Sequence, residues 1–322
     1  MGRMQYLSRI VSAYLLRQPS HLTFWHDTPE ANPRANIHTL GEYYMSFAEK
    51  ADYPGACDSE GIPLLDYHGR IGLQYNPIAI AQWGLGNYNK ARFSGDEVSL
   101  CKFLKASDWL IANLQQNSHG VWVWNHHFDW EYRNSLKAPW YSGLAQGQGI
   151  SLLVRAYRET GCSKYREAAE RAFVSLLKPT NEGGVTFRDD SGVWFEEYIV
   201  RPPTHILNGF IWAIWGVYDF FLSTRSDAAR TLYEEAVQTL VRNLGRYDLG
   251  FWSRYEQSET FLPMIASAFY HRLHIVQLRV MHRLTGEPAL ASLADKWEAY
   301  DRNRANRTSA FCCKAVFKLC YY

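Results

Sequence analysis

The stretch that decides the fold spans residues 205–244 and reads HILNGFIWAIWGVYDFFLSTRSDAARTLYEEAVQTLVRNL. Its first half, from His205 to Leu222, is apolar nearly all round, which predicts a helix buried on every side. Its second half, from Asp227 to Leu244, carries one apolar stripe at i, i+4 spacing and predicts an amphipathic helix. Such a sequence is typical of an inner and an outer helix, here separated by a turn at Thr224-Arg225-Ser226.

The same pattern recurs along the chain. Gly95, Gly161 and Gly286 lie between two helical patterns as Arg225 does, at successive spacings of 66, 64 and 61 residues. Repeats of this length indicate stacked supersecondary units. We therefore predict an all-α-dominated fold, an (α/α)4 toroid spanning residues 67–302. Its four helix pairs are predicted at residues 77–116, 144–179, 205–245 and 268–300.

Short strand-like pieces separate the predicted pairs. Each opens with a glycine: Gly120-Val121-Trp122, Gly184-Val185-Thr186 and Gly250-Phe251-Trp252. We expect them to form β-hairpins on one rim of the toroid. Residues 1–66 are predicted to be a helical extension that packs on the toroid, with helices over residues 1–20 and from Thr39 to Lys50. Residues 303–322 form a tail to which the sequence assigns no structure.

Composition narrows the classes of function. The chain has 322 residues, of which 47% are apolar and 20% are charged, which suits a globular protein. Aromatic residues make up 15%, a load that can fill a core or stack on sugar rings. The net charge is +2 with no basic run, which argues against nucleic-acid binding. No segment reads as a membrane span or a secretory signal, so a cytoplasmic location is expected.

Polar residues recur on the predicted inner helices. Gln82, Gln146 and Asn208 follow one another at 64 and 62 residues, and His271 comes 63 residues later. Buried amides and imidazoles need hydrogen-bond partners. They could form a satisfied structural network or the floor of a ligand pocket, and we favour the pocket because all four inner helices contribute.

Two adjacent carboxylates precede the apolar helix, in the stretch Trp194-Phe195-Glu196-Glu197-Tyr198. Large aromatic neighbours can shift the ionisation of a carboxyl group by desolvation, as acid–base chemistry often requires. The alternative is a surface turn in which both glutamates are solvated.

Four segments stand out, in this order along residues 67–300. They are Tyr75-Asn76-Pro77-Ile78 with Ala81-Gln82-Trp83-Gly84-Leu85; Pro139-Trp140-Tyr141-Ser142-Gly143-Leu144-Ala145-Gln146-Gly147-Gln148; Trp194-Phe195-Glu196-Glu197-Tyr198 with Leu207-Asn208-Gly209-Phe210; and Tyr270-His271 with His274-Ile275 and Gln277-Leu278. In order and spacing these segments resemble the D-glucuronyl C5-epimerase family. The family's catalytic domain is an α/α toroid of four helix pairs, and the chain is similar to a compact, bacterial-type member.

The resemblance implies inversion of C5 of D-glucuronate to L-iduronate within heparosan or heparan sulfate. It implies catalytic roles for Glu197, Tyr198 and Tyr270, and it gives Arg254 the task of holding the uronate carboxylate. Phe251 departs from the family pattern, because it stands where a tyrosine is expected. The residues expected to bind substrate are Asn208, Gln82, Tyr75, Gln146, Gln148, Tyr141, Arg133, Trp212, His271 and Tyr255.

The chemistry explains these residue types. The C5 hydrogen lies alpha to a carboxylate, so its removal builds negative charge that a guanidinium can offset. Inversion also needs proton exchange on opposite faces of C5, for which Glu197 and Tyr270 are the expected pair, with Tyr198 as a supporting or alternative acid. A phenol acts as a base near neutral pH only beside positive charge, which Arg254 or His271 could supply.

Two other functions stay open on the sequence alone. A uronate polysaccharide lyase would begin with the same proton abstraction and then expel the C4 oxygen, whereas a glycan-binding module would keep the cleft without turnover. No cofactor or metal is expected, since the spacing of His271 and His274 lacks a third ligand. The expected partner is an anionic uronate polysaccharide, and a homodimer is left open.

Overall fold

The computed structural model describes residues 21–132 and 135–321. The helix predicted over residues 1–20 and the predicted substrate-binding residue Arg133 lie outside these ranges. Among the helices within them, none is both long enough and apolar enough to cross a membrane.

From residue 21 to the first toroid helix, the chain contains less helix than predicted. This segment holds two short helices, α1 (His21–Trp25) and α2 (Ala48–Ala51), and a two-stranded hairpin of β1 (Leu65–Asp66) and β2 (Leu73–Gln74). The helix predicted from Thr39 to Lys50 is wrong except for its last turn. The Asn89 side chain accepts from the Tyr43 amide at 2.6 Å and donates to the Met45 carbonyl at 2.8 Å. The side-chain amide of Asn89, which belongs to the toroid, therefore bonds backbone groups that would pair with one another in a helix.

Eight helices form the four predicted pairs, which confirms the α/α toroid. Each pair consists of an inner helix that is largely buried and an outer helix that buries one face. The inner helices are α3 (Pro77–Ser94), α5 (Gly143–Thr160), α7 (Leu207–Thr224) and α9 (Ala268–Thr285). The outer helices are α4 (Glu97–Ala112), α6 (Ser163–Leu177), α8 (Asp227–Asn243) and α10 (Pro288–Arg302).

The turns within the pairs share one conformation. Gly95, Gly161 and Gly286 end their inner helices with φ of 70°, 68° and 75°. Arg225 takes the same left-handed conformation, with φ of 57°, and its amide donates to the Phe221 carbonyl at 2.8 Å. Glycine meets this requirement without steric strain, whereas the arginine carries a Cβ there.

The connections from each outer helix to the next inner helix lie on the rim where the inner helices begin, and they carry the short strands. The first connection holds β3 (Leu114–Gln116), β4 (Trp122–His126), β5 (Trp130–Glu131), β6 (Ser135–Leu136) and β7 (Trp140–Tyr141). In it, β3-β4-β7 form an antiparallel sheet and β5 pairs with β6. The second holds the hairpin of β8 (Thr186–Asp189) and β9 (Gly192–Phe195). These strands confirm the hairpins predicted on one rim for the first two connections.

The third connection departs from the prediction. It contains a 3-10 helix (Leu244–Tyr247) and isolated bridges between Asp248 and Ser253 and between Arg254 and Ile265. No regular strand forms at Gly250-Phe251-Trp252. Trp252 is buried instead, with its indole stacked on the His271 ring at 3.7 Å between ring centroids.

Helices α5 and α7 approach each other at glycines. A Cβ added to Gly147 would lie 2.6 Å from the Ala213 Cα, and one added to Gly216 would lie 2.4 Å from the Gly147 Cα. Next to this contact, the buried Arg155 of α5 pairs with Asp219 of α7 at 2.6 Å. Close approach and a buried ion pair thus fix the spacing of the two inner helices.

The chain continues beyond the four pairs into α11 (Arg304–Tyr321). This helix occupies the tail to which the sequence assigned no structure. Ala310 and Phe317 are buried among aromatic residues at the rim where the inner helices begin. The tail therefore packs on the same end of the toroid as the strands.

Candidate active site

An apolar cluster lines the rim at which the inner helices begin. We call it the rim cluster. Its fully or largely buried members are Phe24, Leu65, Tyr67, Ala79, Phe128, Tyr132, Leu136, Trp140, Ile206, Trp252, Tyr255, Met264, Ile265, Ala266, Ala310 and Phe317. The half-buried rings of Tyr198 and Tyr270 pack against it. Because helix N-termini carry partial positive charge, an anionic ligand is favoured at this end of the toroid.

The two adjacent glutamates at the end of β9 are both buried, which excludes the solvated turn, and they serve different purposes. The Glu196 carboxylate accepts from the backbone amides of Thr204 and His205 at 3.4 and 3.2 Å. The His205 imidazole nitrogen Nδ1 also pairs with it. Glu196 thus holds the turn that leads into α7.

Glu197 faces Asn208 in the first turn of α7. The Asn208 amide donates to Glu197 Oε2 at 3.3 Å, and a hydrogen bond from Tyr198 also favours the ionised carboxylate. Burial opposes both and raises the pKa of Glu197 to about 8, with a further contribution from the nearby Glu256 charge. Gly209 leaves room for this carboxyl group, since a Cβ there would lie 2.2 Å from Glu197 Oε2.

Four phenols lie at or near this carboxyl group: Tyr198 and Tyr255 interact with it, and Tyr132 and Tyr270 pack on their rings. The Tyr255 ring lies 4.9 Å from the Tyr270 ring, and the Tyr132 ring lies 4.5 Å from the Tyr198 ring, between centroids. Burial raises the pKa of Tyr255 well above its usual value, and Glu197 and the three other tyrosines raise it further. Tyr255 is therefore a neutral hydrogen-bond donor or acceptor near neutral pH, whereas Tyr198 and Tyr270 are partly open to solvent.

Glu256 belongs to this site although the sequence analysis did not select it. Its carboxylate is fully buried and accepts a hydrogen bond from the Tyr132 hydroxyl. Its charge also acts on Glu197 and on Arg254. In the sequence, Glu256 is marked only by its position two residues after Arg254. That position does not indicate that its side chain turns inward.

Arg254 lies at the edge of the site. Its guanidinium donates to the Ser258 carbonyl at 2.9 Å and lies near Glu256 and Tyr247. Tyr247 in turn donates to the His205 carbonyl at 2.6 Å. Arg254 therefore borders the turn held by Glu196, next to the cluster of phenols.

Beneath the site, amides line the axis of the toroid. Gln82 donates to Gln148 at 3.0 Å, and Gln277 donates to the Asn208 carbonyl at 3.0 Å. Several buried polar atoms along this axis have no hydrogen-bond partner among residues 21–132 and 135–321. These atoms are Gln82 Oε1, both polar atoms of the Gln146 side chain, Trp212 Nε1 and Gln277 Oε1. The predicted polar ring is thus present, and its unpaired atoms suit a polar ligand or ordered water rather than a closed structural network.

Two predicted substrate-binding tyrosines lie apart from the carboxyl group. Tyr75 is 39% exposed, and its hydroxyl donates to Asp58 Oδ2 at 2.7 Å while its ring packs on Trp109 of an outer helix. Tyr141 follows Trp140 in β7, so it faces away from the side of the strand that joins the rim cluster. Tyr75 and Tyr141 therefore lie away from the site, although each neighbours a site or rim residue along the chain.

His271 does not reach the site either. Its Nδ1 pairs with the Ser253 hydroxyl at 2.8 Å and its Nε2 with the Trp297 carbonyl at 3.0 Å. Burial lowers the pKa of His271 to about 4, so the ring is neutral near neutral pH and supplies no positive charge to Tyr270. His274 contacts the same Ser253 hydroxyl at 3.0 Å, so a shared hydroxyl accounts for the spacing of the two histidines.

Within the described ranges, no group of three His, Cys, Asp or Glu side chains is arranged to hold a metal ion.

Comparisons with known proteins identify the family. The family model described as D-glucuronyl C5-epimerase C-terminus matches residues 115–299. The D-glucuronyl C5-epimerase of Caenorhabditis elegans is 30% identical over 214 residues, which cover 62% of this chain and 34% of that protein. An uncharacterized protein of Methanocaldococcus jannaschii is 30% identical over 198 residues, covering 60% of this chain and 63% of that protein.

The chain spans about a third of the first of these relatives and less than two thirds of the second. Among solved structures, cellobiose 2-epimerase from Spirochaeta thermophila has a TM-score of 0.49 and 13% identity, covering 92% of this chain and 84% of that chain. The family model accounts for more than half of the present sequence, and the protein accordingly belongs to the D-glucuronyl C5-epimerase family.

Proposed function

We propose that the protein epimerises D-glucuronate to L-iduronate at C5 within a heparosan-like polysaccharide. The observation that carries this proposal is the buried Glu197 carboxyl group, whose pKa is raised to about 8, set among phenols at the positive end of the inner helices. Family membership supports the reaction class.

In this mechanism Glu197 and Tyr270 act on opposite faces of C5. The Glu197 carboxylate takes the C5 proton, and the electron pair of the broken C–H bond moves into the uronate carboxyl group as an enediolate. Tyr270 then donates its proton to the other face, which forms the new C–H bond and inverts the centre. A carboxyl group with a pKa near 8 is present in both forms near neutral pH, so it can take the proton in one direction and return it in the other.

The other site residues stabilise charge and position the reacting groups. Arg254 offsets charge on the uronate carboxyl group from the edge of the site, and Tyr198 supports Glu197 through their hydrogen bond. Asn208 holds the Glu197 carboxyl group at 3.3 Å. Gln82, Gln146 and Trp212 have buried polar atoms without a partner in the described part of the chain, and these atoms suit sugar hydroxyls.

Two alternative functions would use the same site residues. A uronate lyase would remove the C5 proton and expel the C4 oxygen, leaving a double bond that absorbs in the ultraviolet. A glycan-binding module would hold the polymer without turnover. The raised pKa of Glu197 favours proton transfer over binding alone, because strongly shifted carboxyl groups cluster at catalytic sites.

Incubation with heparosan in heavy water, followed by proton NMR, tests the proposal. We expect deuterium at C5 and new iduronate signals with wild type. Glu197→Gln should lose both, whereas Tyr270→Phe should lose the iduronate signals. Ultraviolet absorbance without iduronate would establish the lyase. If exchange, iduronate and absorbance are all absent with heparosan and other uronate polymers, the catalytic proposal fails.

A further inference from the structure

The C-terminal helix α11 lies after the matched family region, which ends at residue 299, yet it packs on the candidate active site. Ala310 and Phe317 are buried in the rim cluster. Lys314 comes four residues after Ala310, and Lys318 comes four residues after Lys314, so one helix face carries all of them. Packing of that face directs both lysines toward the site, where each is half-buried.

Lys314 lies close to the proposed reacting groups. Its ammonium nitrogen donates to the Ile265 carbonyl at 2.7 Å and lies 5.6 Å from the centroid of the Tyr255 ring. The Tyr255 ring is 4.9 Å from the Tyr270 ring. A single aromatic ring therefore separates this ammonium group from the phenol proposed to protonate C5.

Glu256 is the carboxylate whose charge acts on both lysines. Glu256 acts on Lys314, Lys318 and Arg254, and it already accepts from Tyr132. Burial lowers the pKa of Lys314 to about 7 and that of Lys318 to about 8, while the Glu256 charge raises both. Half-buried cations that lie so close together are stabilised by an added anion.

We propose that Lys314 and Lys318 bind carboxylates of the uronate polymer at the rim cluster, with Lys314 nearest to the sugar residue that reacts. This inference rests on the proposed function and extends it to a helix outside the matched region. An ammonium group binds a carboxylate by a charge-assisted hydrogen bond. Arg254, which lies near Glu256 and Tyr247, would keep the role proposed for it above.

Charge-removing substitutions test this role in the full-length protein. Lys314→Gln, Lys318→Gln and the double variant are compared with wild type by calorimetric titration with a heparosan oligosaccharide and by C5 exchange kinetics. We expect the double variant to raise both Kd and KM by about tenfold or more while kcat changes little, as loss of charged hydrogen bonds predicts. Lys314→Arg, which keeps the charge, should retain most of the affinity.

Lys105→Gln is the matched control, because the Lys105 ammonium group also donates to a backbone carbonyl, that of Glu60 at 2.7 Å, but on an outer helix. It should leave Kd and KM unchanged. A second measurement separates charge from packing. Bound carboxylate should raise the pKa of Lys314, which faces Lys318, Glu256 and Tyr255, so wild type should take up more protons on binding near pH 8 than the double variant, in which Glu197 remains to respond.

The outcomes distinguish this inference from the proposed function. If wild type epimerises heparosan and the double variant has unchanged Kd and KM, the lysine role is wrong and the function stands. Tighter binding by the double variant would show that the lysines hinder the substrate and would also overturn the inference. If wild type neither binds nor converts any uronate polymer, both proposals fail.

Discussion

The side-chain amide of Asn208 donates to Glu197 Oε2 at 3.3 Å, across the gap between the end of β9 and the first turn of α7. This hydrogen bond lowers the pKa of Glu197, whereas burial raises it. The balance leaves the pKa at about 8, which suits a group that must both accept and return a proton.

Replacement of Asn208 by alanine should move the pH dependence of the reaction. Loss of the donor removes a contact that favours the carboxylate, so the pKa of Glu197 should rise above 8. Because Glu197 must be ionised to take the proton, kcat/KM should then rise only at higher pH. The rate of C5 proton exchange, measured between pH 6 and 10, gives this pH dependence. Asn113→Ala, at the end of an outer helix, should leave the profile in place, and an unchanged profile for Asn208→Ala would contradict the assignment.

Glu197→Gln should gain stability over wild type as the pH rises. The folded-state pKa of about 8 exceeds the ordinary value of 4.5, so the stability that the protonated carboxyl group contributes is complete below pH 4.5. It is lost progressively as the pH rises to about 8, and glutamine does not titrate. Urea unfolding at pH 5 and pH 8 should show the difference in unfolding free energy growing, on the order of a few kcal/mol. A constant difference would show that the carboxyl group is not buried as described.

Gly209→Ala should lower activity by about a hundredfold or more while the fold survives. The added Cβ would lie 2.2 Å from Glu197 Oε2 and 2.8 Å from the Glu197 Cβ, so the carboxyl group must leave its position. A shift of about 1 Å at a reacting group can lower the rate by about a hundredfold. Gly245→Ala is the control, since a Cβ there meets nothing within 4 Å. Full activity of Gly209→Ala, measured by deuterium exchange, would remove Glu197 from the mechanism.

The two proposed bases can be separated by starting from each epimer. Glu197→Gln should block exchange of the C5 proton from one epimer, and Tyr270→Phe should block it from the other, because each group serves one face. Polymers rich in glucuronate and in iduronate, incubated separately in heavy water, provide the measurement. Loss of exchange from the same epimer in both variants would place the two groups on one face. Tyr233→Phe, on an outer helix, is the matched control and should affect neither exchange.

Arg225→Gly should stabilise the fold. Arg225 has φ of 57°, and a left-handed conformation costs about 1–2 kcal/mol for a residue with a Cβ, partly offset by the greater chain entropy of glycine. We expect a gain of up to about 1 kcal/mol in the free energy of unfolding. Arg225→Ala, which keeps the Cβ, should show no gain. Equal effects of both substitutions would attribute the change to the arginine side chain instead.

The helices follow from the sequence because their signals are local. Hydrophobic periodicity along residues 205–244 and the recurring turns at Gly95, Gly161 and Gly286 define four pairs without reference to distant residues. Predicted pairs and observed helices agree within a few residues at most boundaries. The helix predicted from Thr39 to Lys50 fails because Asn89, which is remote in sequence, binds that backbone.

The candidate site depends on contacts between distant segments, and only part of it is local. Sequence alone brought Glu197, Tyr198 and Asn208 together, since they lie within twelve residues. Only the tertiary structure showed that Glu196 holds a turn while Glu197 faces the phenols, and that Glu256 and α11 reach the same rim. The direction of a side chain in an irregular connection is set by what packs against it. Periodicity therefore determined the toroid, and long-range packing decided which residues meet at its rim.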